Sequence, residues 1–183
     1  MENSFLNESE LKSIGFLKVG QGCKISRKCS IYNPEMIEIG DNVRIDDFCI
    51  LSGKIILKNN IHISAGVFLF AGLAGITIDE YSNFSSRCAI YAITDDFGGD
   101  YLVGPCISSE LRHVICAPVV IEKHCVIGTG STVMPGVVIS EGSAIGAMSF
   151  VDKNTQEWSI SFGIPCKHIR KRSKKMLELF KGY

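Results

Sequence analysis

The sequence lacks the features of membrane, secreted and nucleic-acid-binding proteins. No apolar run approaches the length that spans a bilayer, and residues 1–15 have neither the basic region nor the apolar run of a signal peptide. Acidic and basic residues are equal in number, 19 each, so no net field attracts nucleic acid. At 183 residues the chain has the length of one domain. We therefore expect a single cytoplasmic domain with no membrane span and no nucleic-acid partner.

Cysteine pairs of the CxxC type are also absent, although the chain has eight cysteines. A disulfide framework is expected in short secreted chains, and a structural zinc site needs closely spaced ligands. Most of the cysteines instead follow an apolar residue at a spacing of four, which predicts small buried side chains. These are Cys23, Cys29, Cys49, Cys88 and Cys125. We predict no metal site.

The dominant feature that is present is a repeat with a period of six between residues 121 and 155. Each hexad starts with an aliphatic residue and has a small residue four places later. The aliphatic residues are Ile121, Ile127, Val133, Ile139, Ile145 and Val151. An α-helix would repeat near 3.6 residues and a simple strand at 2, so this period predicts a β-helix whose coils stack their aliphatic residues into one core.

Similar hexads extend back to Val19, with phase shifts near residues 33–35 and 71–75. Eighteen hexads, three to a coil, predict about six coils. We therefore predict one domain over residues 1–183, with a cap at 1–18, the β-helix at 19–155 and a C-terminal tail at 156–183. Short helices are expected at both ends, the first with Ser9 as its N-cap and the second an amphipathic helix that includes Met176 and Phe180.

The period vanishes between Ile90 and Ile121, which predicts one protruding loop at residues 95–117. Long loops in compact domains often carry function. This loop contains the acidic pair Asp95 and Asp96, and it also contains His113.

Three segments within this pattern resemble the hexapeptide-repeat acyltransferases: Ile127 to Ser131, Ile145 to Ser149, and Gly163 to Arg170. The chain looks most like the galactoside, maltose and xenobiotic acetyltransferases and the related cell-surface-polysaccharide sugar acetyltransferases. The resemblance implies an all-β fold, a left-handed parallel β-helix, assembled as a homotrimer. It also implies acetyl-CoA as co-substrate and a sugar or nucleotide-linked sugar as acceptor, in surface-polysaccharide or nucleotide-sugar metabolism.

In that family the coenzyme lies in the groove between neighbouring subunits. The resemblance then implies that Thr129 and Ala147 contact the pantetheine with backbone groups. It places Asp152 and Lys153 near the diphosphate or adenine end. It assigns the 3′-phosphate to Arg170, and Lys167 and Arg172 are expected to help, because charge-assisted hydrogen bonds to phosphate are strong.

The catalytic position departs from the family pattern. Galactoside-type relatives have a histidine seventeen residues after the aliphatic residue that matches Ile78, and this chain has Asp95 there, followed by Asp96. Their sugar-contacting asparagine and aspartate are also missing, because Ala65 and Leu73 occupy the matching positions.

An aspartate in this position suits an amine acceptor better than a hydroxyl. A hydroxyl has a pKa within a few units of that of water, about 15.7, whereas that of aspartate is about 3.9, a gap of roughly ten units. A primary amine with a pKa near about 8 leaves a gap of only about four units. Asp95 or Asp96 is therefore predicted to bind an ammonium group and take its proton. Transfer to a hydroxyl remains open, with His113 or His124 as the base.

Two other functions fit a β-helix. A γ-class carbonic anhydrase needs three histidines around zinc, but His62, His113 and His124 are far apart in sequence, and His62 and His168 look structural or peripheral. A non-catalytic scaffold is the second alternative, and the residues in coenzyme-type positions argue against it.

Overall fold

The computed structural model describes residues 4–182, which fold as a left-handed parallel β-helix with three faces. Each hexad residue pairs with the residue three hexads later, as in Val19 with Ile39 and Ile39 with Leu57. This register confirms three hexads to a coil. Ser161 pairs with Ile145, so Ser159–Phe162 begins a seventh coil.

The faces are numbered in chain order. The first face contains Lys18–Val19, Ile37–Ile39, the second halves of Ile50–Leu57 and Phe68–Ile78, Val119–Ile121 and Val138–Ile139. The second contains Lys24–Ile25, Arg44–Ile45, His62–Ile63, Asn83–Phe84, Val126–Ile127, Ala144–Ile145 and Ser159–Phe162. The third contains Ser30–Tyr32, the first halves of Ile50–Leu57 and Phe68–Ile78, Ala89–Tyr91, Thr132–Val133 and Phe150–Val151.

The remaining elements lie outside these three faces or at their corners and ends. Strands Ile93–Asp95 and Val114–Cys116 pair with each other, and Lys167–Lys171 pairs antiparallel with Ser159–Phe162. The helices are Glu8–Ile14 (α) and Pro34–Met36, Ser109–Leu111 and Lys175–Gly182 (3₁₀).

The hexad residues form the core, and the small residues four places later line the corners beside it. Cys49, Cys88 and Cys125 are buried, and each thiol donates to a carbonyl oxygen of the next coil, at 3.2 Å for Cys88 to Gly128. Burial raises the pKa of Cys88 to about 11 and that of Cys125 to about 12. These thiols are therefore protonated and unreactive at neutral pH, as expected for small buried hydrophobes.

The two phase shifts have different structures. Residues 34–36 form a short 3₁₀ helix, whereas residues 71–75 lie within the continuous strand Phe68–Ile78. Gly72 lies under Ile93, and a Cβ at Gly72 would be 3.3 Å from the Ile93 side chain. The glycine-rich insertion therefore makes room for the start of the loop.

Helix Glu8–Ile14 covers the first coil, since Leu6, Leu11 and Phe16 pack against the core. The predicted N-cap was wrong by two residues: Asn7 caps the helix, and Asn7 and Glu10 form a reciprocal capping box. At the other end the predicted short helix is present as the 3₁₀ helix Lys175–Gly182. The side chain of Phe180 and residues 1–3 and 183 lie outside the described residues.

Among residues 4–182 there is no helix with the length and hydrophobicity that a bilayer crossing requires. Within the same part of the chain, no three His, Cys, Asp or Glu side chains are grouped so that they could share a metal ion.

Candidate active site

The loop begins as a two-stranded antiparallel ribbon at the edge of the third face. The chain leaves the coil at Ala92 and returns at Ala117, whose N–H donates to the Ala92 carbonyl oxygen at 3.0 Å. In the ribbon, Asp95 lies directly opposite Val114. The ribbon holds Asp95 at the base of the loop rather than at its exposed tip, so a regular element positions this carboxylate.

Asp95 and Asp96 have different surroundings. The Asp96 carboxylate accepts hydrogen bonds from the N–H groups of Gly98 and Gly99, at 3.1 and 3.2 Å, and so shapes the turn. The Asp95 side chain is half-buried, and within the described residues it makes no hydrogen bond and no ion pair. Of the two carboxylates, Asp95 is therefore the one available to a ligand.

His113 lies beside Asp96. The Asp96 N–H donates to the His113 carbonyl oxygen at 3.1 Å, and the exposed imidazole packs against Tyr101 with ring centroids 5.2 Å apart and ring planes tilted by 34°. Side chains alternate across an extended strand, and Asp95 lies opposite Val114, so the register directs His113 away from Asp95.

His124 lies at a different corner, between the first and second faces. Its backbone is left-handed (φ 61°), and its ring stacks on Tyr81 at 5.4 Å and lies 6.1 Å from Trp158. Burial lowers the pKa of His124, which favours the neutral ring at pH 7. Within one chain the structure thus groups Asp95, Asp96 and His113 but not His124.

Thr129 and Ala147 occupy equivalent positions in consecutive coils at the corner between the second and third faces. The Met148 N–H donates to the Thr129 carbonyl oxygen at 2.8 Å, and the Thr129 hydroxyl donates to the Ser86 carbonyl oxygen at 2.6 Å. A Cβ at Gly128 would be 2.5 Å from the Ala147 nitrogen, so glycine is needed for this close stacking. Both residues are exposed and form a continuous edge.

The basic strand Lys167–Lys171 extends this end of the helix. Lys167 lies opposite Phe162, near the same corner, and Arg170 lies opposite Ile160; both side chains are exposed. Asp152 and Lys153 are also exposed, but they follow Val151 at the other edge of the third face. Thr129, Ala147 and Lys167 therefore lie at one edge of the third face and Asp152 and Lys153 at the other. Arg170 lies along the second face, beside the first group.

Arg172 differs from its basic neighbours. Its guanidinium donates to the carbonyl oxygens of His124, Gly142 and Ser143, at 2.8, 2.9 and 3.4 Å. These bonds fix the tail to the corner between the first and second faces. Arg172 therefore has a structural role through one guanidinium nitrogen, and its share in phosphate binding stays a prediction.

The outer surface of the third face is a feature that the sequence reasoning missed. The residue directly after the hexad residue points outward, and on the first and second faces it is glycine, polar or charged. On the third face this position includes Tyr32, Phe70, Tyr91 and Met134. Phe70 stacks on Tyr91 at 5.2 Å and lies 6.1 Å from Phe68. Sorting the hexads by face would have revealed this pattern.

Known proteins match the chain over nearly its whole length. A model of the hexapeptide repeat of succinyl-transferases matches residues 118–153. The dTDP-4-amino-4,6-dideoxy-D-glucose acyltransferase of Escherichia coli is 43% identical over 179 residues, 96% of this chain and 93% of that protein.

Solved structures of AntD, an N-acyltransferase from Bacillus cereus, have the same fold. The complex with dTDP and 3-hydroxybutyryl-CoA is 47% identical, with a TM-score of 0.96, and covers 98% of this chain and 96% of its own. A serine-to-cysteine variant with dTDP-4-amino-4,6-dideoxyglucose and coenzyme A is 46% identical, with a TM-score of 0.96, and covers 100% and 97%. These likenesses favour the acyltransferase prediction over the scaffold and the carbonic anhydrase. The chain therefore belongs to the hexapeptide-repeat family of acyl-CoA-dependent sugar acyltransferases.

Proposed function

We propose that this enzyme transfers an acyl group from acyl-CoA to the amino group of a dTDP-linked 4-amino-4,6-dideoxyhexose. The E. coli relative is named for this acceptor, and AntD was solved with it. The observation within this chain that carries the proposal is Asp95, an unpaired carboxylate at the position where galactoside-type relatives have histidine. The sequence predicted acetyl-CoA as donor, and acetyl is the acyl group we propose.

Asp95 acts first as a binding group and then as a base. Its carboxylate attracts the sugar ammonium and accepts one proton, which leaves a neutral amine. The amine nitrogen attacks the thioester carbonyl, the C–N bond forms, and the C–S bond breaks to release the coenzyme thiolate. The nitrogen loses its second proton to the thiolate as the amide forms, and the first proton passes from Asp95 to solvent, which restores the Asp95 carboxylate. Asp96 shapes the loop in this scheme, and His113 and His124 take no part in the proton transfer.

The donor is proposed to lie along the corner formed by Thr129 and Ala147. The exposed backbone edge suits the amide groups of pantetheine, which need hydrogen-bond partners. Lys167 lies at the end of this line and Arg170 further along the same strand, opposite Ile160, and the two exposed cations are available to the phosphates. Asp152 and Lys153 lie at the opposite edge of the third face, so we assign them to a neighbouring subunit's coenzyme.

A homotrimer is proposed because one chain does not hold a complete site. Asp95 lies at one edge of the third face and Thr129 with Ala147 at the other. A face three to four residues wide separates them by about 10–13 Å. The aromatic outer surface of this face has the character of a contact surface between copies. A second copy packed on this face brings the corner formed by its own Thr129 and Ala147 towards Asp95 of the first. A cytoplasmic location and a role in surface-polysaccharide synthesis stay predictions.

A thiol-release assay tests this function. Acetyl-CoA and 3-hydroxybutyryl-CoA are each offered with dTDP-linked 4-amino-4,6-dideoxyglucose, with the same nucleotide sugar bearing a 4-hydroxyl, and with free amino and plain sugars. We expect thiol release with the nucleotide-linked amine and little with its hydroxyl counterpart. Faster reaction with the hydroxyl sugar would overturn the amine assignment, and no release with any acceptor would overturn the function.

A further inference from the structure

Arg112 is the only lysine or arginine in the loop of residues 95–117. The side chain is half-buried, and one guanidinium nitrogen donates to the Gly104 carbonyl oxygen at 3.3 Å. Its Nε is fully buried and has no hydrogen-bond partner within residues 4–182. The same loop carries four acidic residues, and the ion pairs between described residues include none with Arg112. Because the protein encloses Nε, the terminal nitrogens of this half-buried side chain are the donors left for an anion that the chain does not supply.

Such an arrangement is unfavourable without a ligand. A buried donor that loses water and gains no partner costs free energy, and the cost is larger for a charged group. The planar fork of a guanidinium fits phosphate oxygens with two parallel hydrogen bonds, which a lysine ammonium does not reproduce. A phosphate group is the anion that best matches this donor set.

The pairing of the ribbon continues one step beyond its strands, to Asp96 and His113, and continuing the side-chain alternation to Arg112 puts it on the side of Asp95. Arg112 has extended backbone angles (φ −114°, ψ 148°) and precedes Val114, the residue opposite Asp95, by two positions. Residues two apart on a strand face the same way, about 7 Å from each other. His113 and Asp96 lie on the other side. Asp95 and Arg112 thus form an anion and a cation on one surface with a gap between them.

We propose that Arg112 binds the diphosphate of the nucleotide-linked acceptor. This inference rests on the proposed function, in which Asp95 binds the 4-amino group. In that substrate the amino group and the anomeric oxygen that bears the diphosphate stand at opposite ends of one pyranose ring. A carboxylate and a guanidinium separated by about the spacing of two strand residues fit those two ends. Arg112 then sets the direction of the sugar and selects nucleotide-linked over free amino sugars.

Calorimetry with dTDP and with coenzyme A tests the assignment without requiring turnover, so its failure is distinct from failure of the acyl transfer. Both ligands carry phosphates, and the two titrations separate them. Arg112→Gln is expected to weaken dTDP binding about 10- to 100-fold, the range for hydrogen bonds to charged groups, and to leave coenzyme A binding unchanged. Arg112→Lys keeps the charge but loses the fork, so an intermediate dTDP affinity is expected.

Arg27→Gln is the matched control, because Arg27 pairs with Glu10 near the first coil and the substitution removes the same charge. It should leave both affinities unchanged. In turnover, Arg112→Gln should lower kcat/KM for the dTDP-linked amino sugar and leave that for the free amino sugar unchanged. The proposal is overturned if Arg112→Gln leaves dTDP affinity unaltered. It is also overturned if the variant weakens binding of coenzyme A instead, or weakens binding of both ligands equally.

Discussion

Two adjacent carboxylates at the base of the loop differ in their hydrogen-bond partners, and these partners determine which of them can act as a base. Asp96 is engaged by the backbone of Gly98 and Gly99, whereas Asp95 is held by the ribbon and has no side-chain partner in the described part of the chain. A base has to be within reach of the substrate and free to change its protonation state. Of the two, Asp95 is free to change its protonation state and is the one proposed to reach the substrate.

Asp95→Asn should therefore lower kcat by about 100-fold or more, the range for loss of a general base, because an amide neither attracts the ammonium nor accepts its proton. The KM for acyl-CoA should change little, since the donor is proposed to lie at another corner. Steady-state kinetics with each substrate varied in turn measure both effects.

Asp96→Asn is the control for this variant. Its amide oxygen retains one acceptor for the turn, so kcat should fall less than in Asp95→Asn. If Asp95→Asn keeps normal turnover, or if Asp96→Asn is the more damaging change, the roles assigned here are wrong.

The sequence predicted the position of Asp95 but not what distinguishes it from Asp96. The hexad phase counted forward from Ile78 located the pair, because the backbone of a repeat is regular. The partners of a side chain in an irregular loop depend on turns that no repeat specifies. For the same reason Arg112 was not identified.

The corners are the elements on which the stack depends, and the residue three places after the hexad residue often adopts left-handed backbone there. Asn42, Tyr81 and His124 do so at one corner, with φ from 54° to 61°. Gly22 and Gly142 occupy the same corner in other coils, with φ of 69° and 70°. These residues stack on one another from coil to coil, so each corner residue has to fit the corner residue of the next coil.

Gly142→Ala and Gly22→Ala separate backbone strain from packing. A non-glycine residue in left-handed backbone costs about 1–2 kcal/mol, and both variants pay this. A Cβ at Gly22 would meet only ordinary contacts at 3.9 Å, whereas at Gly142 it would lie 2.4 Å from the Trp158 ring. Overpacking adds about 1–3 kcal/mol, so Gly142→Ala should be the less stable variant in denaturant unfolding. Equal losses would show that Trp158 moves freely.

The basic strand Lys167–Lys171 provides the third prediction. Arg170 is exposed and is proposed to bind the 3′-phosphate, whereas Arg172 is bound to three carbonyl oxygens. Arg170→Ala should raise the KM for acetyl-CoA about tenfold and spare acetyl-dephospho-CoA, since charge-assisted hydrogen bonds are lost only with the former. Equal effects on the two donors would reject the assignment.

Arg172→Met is the contrasting variant and should lower thermal stability before it affects either KM. The sequence could not separate these two arginines. Both lie in one basic run, and only the position of the tail strand shows which reaches the corner. The hexads themselves were predictable, because a regular period of six is a stronger signal of structure than the propensity of any single residue.

At the scale of the whole molecule, the main observation is the separation of the residues proposed for catalysis from those proposed for coenzyme binding. Asp95 follows the third face, and Thr129 and Ala147 precede it, so one chain presents half of a site at each edge. The repeat alone did not indicate this, because the proposed site is formed by residues of two copies, and a single sequence does not describe their contact. The apolar outer residues of the third face indicate a contact surface, but the composition of the whole chain does not reveal them.

Mixing two inactive chains tests the proposed sharing of sites. Asp95→Asn removes the base, and Ala147→Trp blocks the coenzyme corner with a bulky ring. If each site combines Asp95 of one chain with the corner of the next, random mixed trimers contain intact residues at about a quarter of their sites. Co-refolded mixtures should therefore recover about a quarter of the activity of the unmodified enzyme.

A third substitution tests whether the activity recovered by the mixture depends on assembly of the chains. Phe70→Glu in both inactive chains places a carboxylate on the apolar third face, where burial without a partner is costly, and should return each chain to its own mass of 20.0 kDa. Thr77→Glu, on the first face, should leave assembly and recovery intact. Complete inactivity of mixtures that do assemble would mean that Asp95 and Ala147 serve the same chain's site, because only then does every site carry one of the two defects.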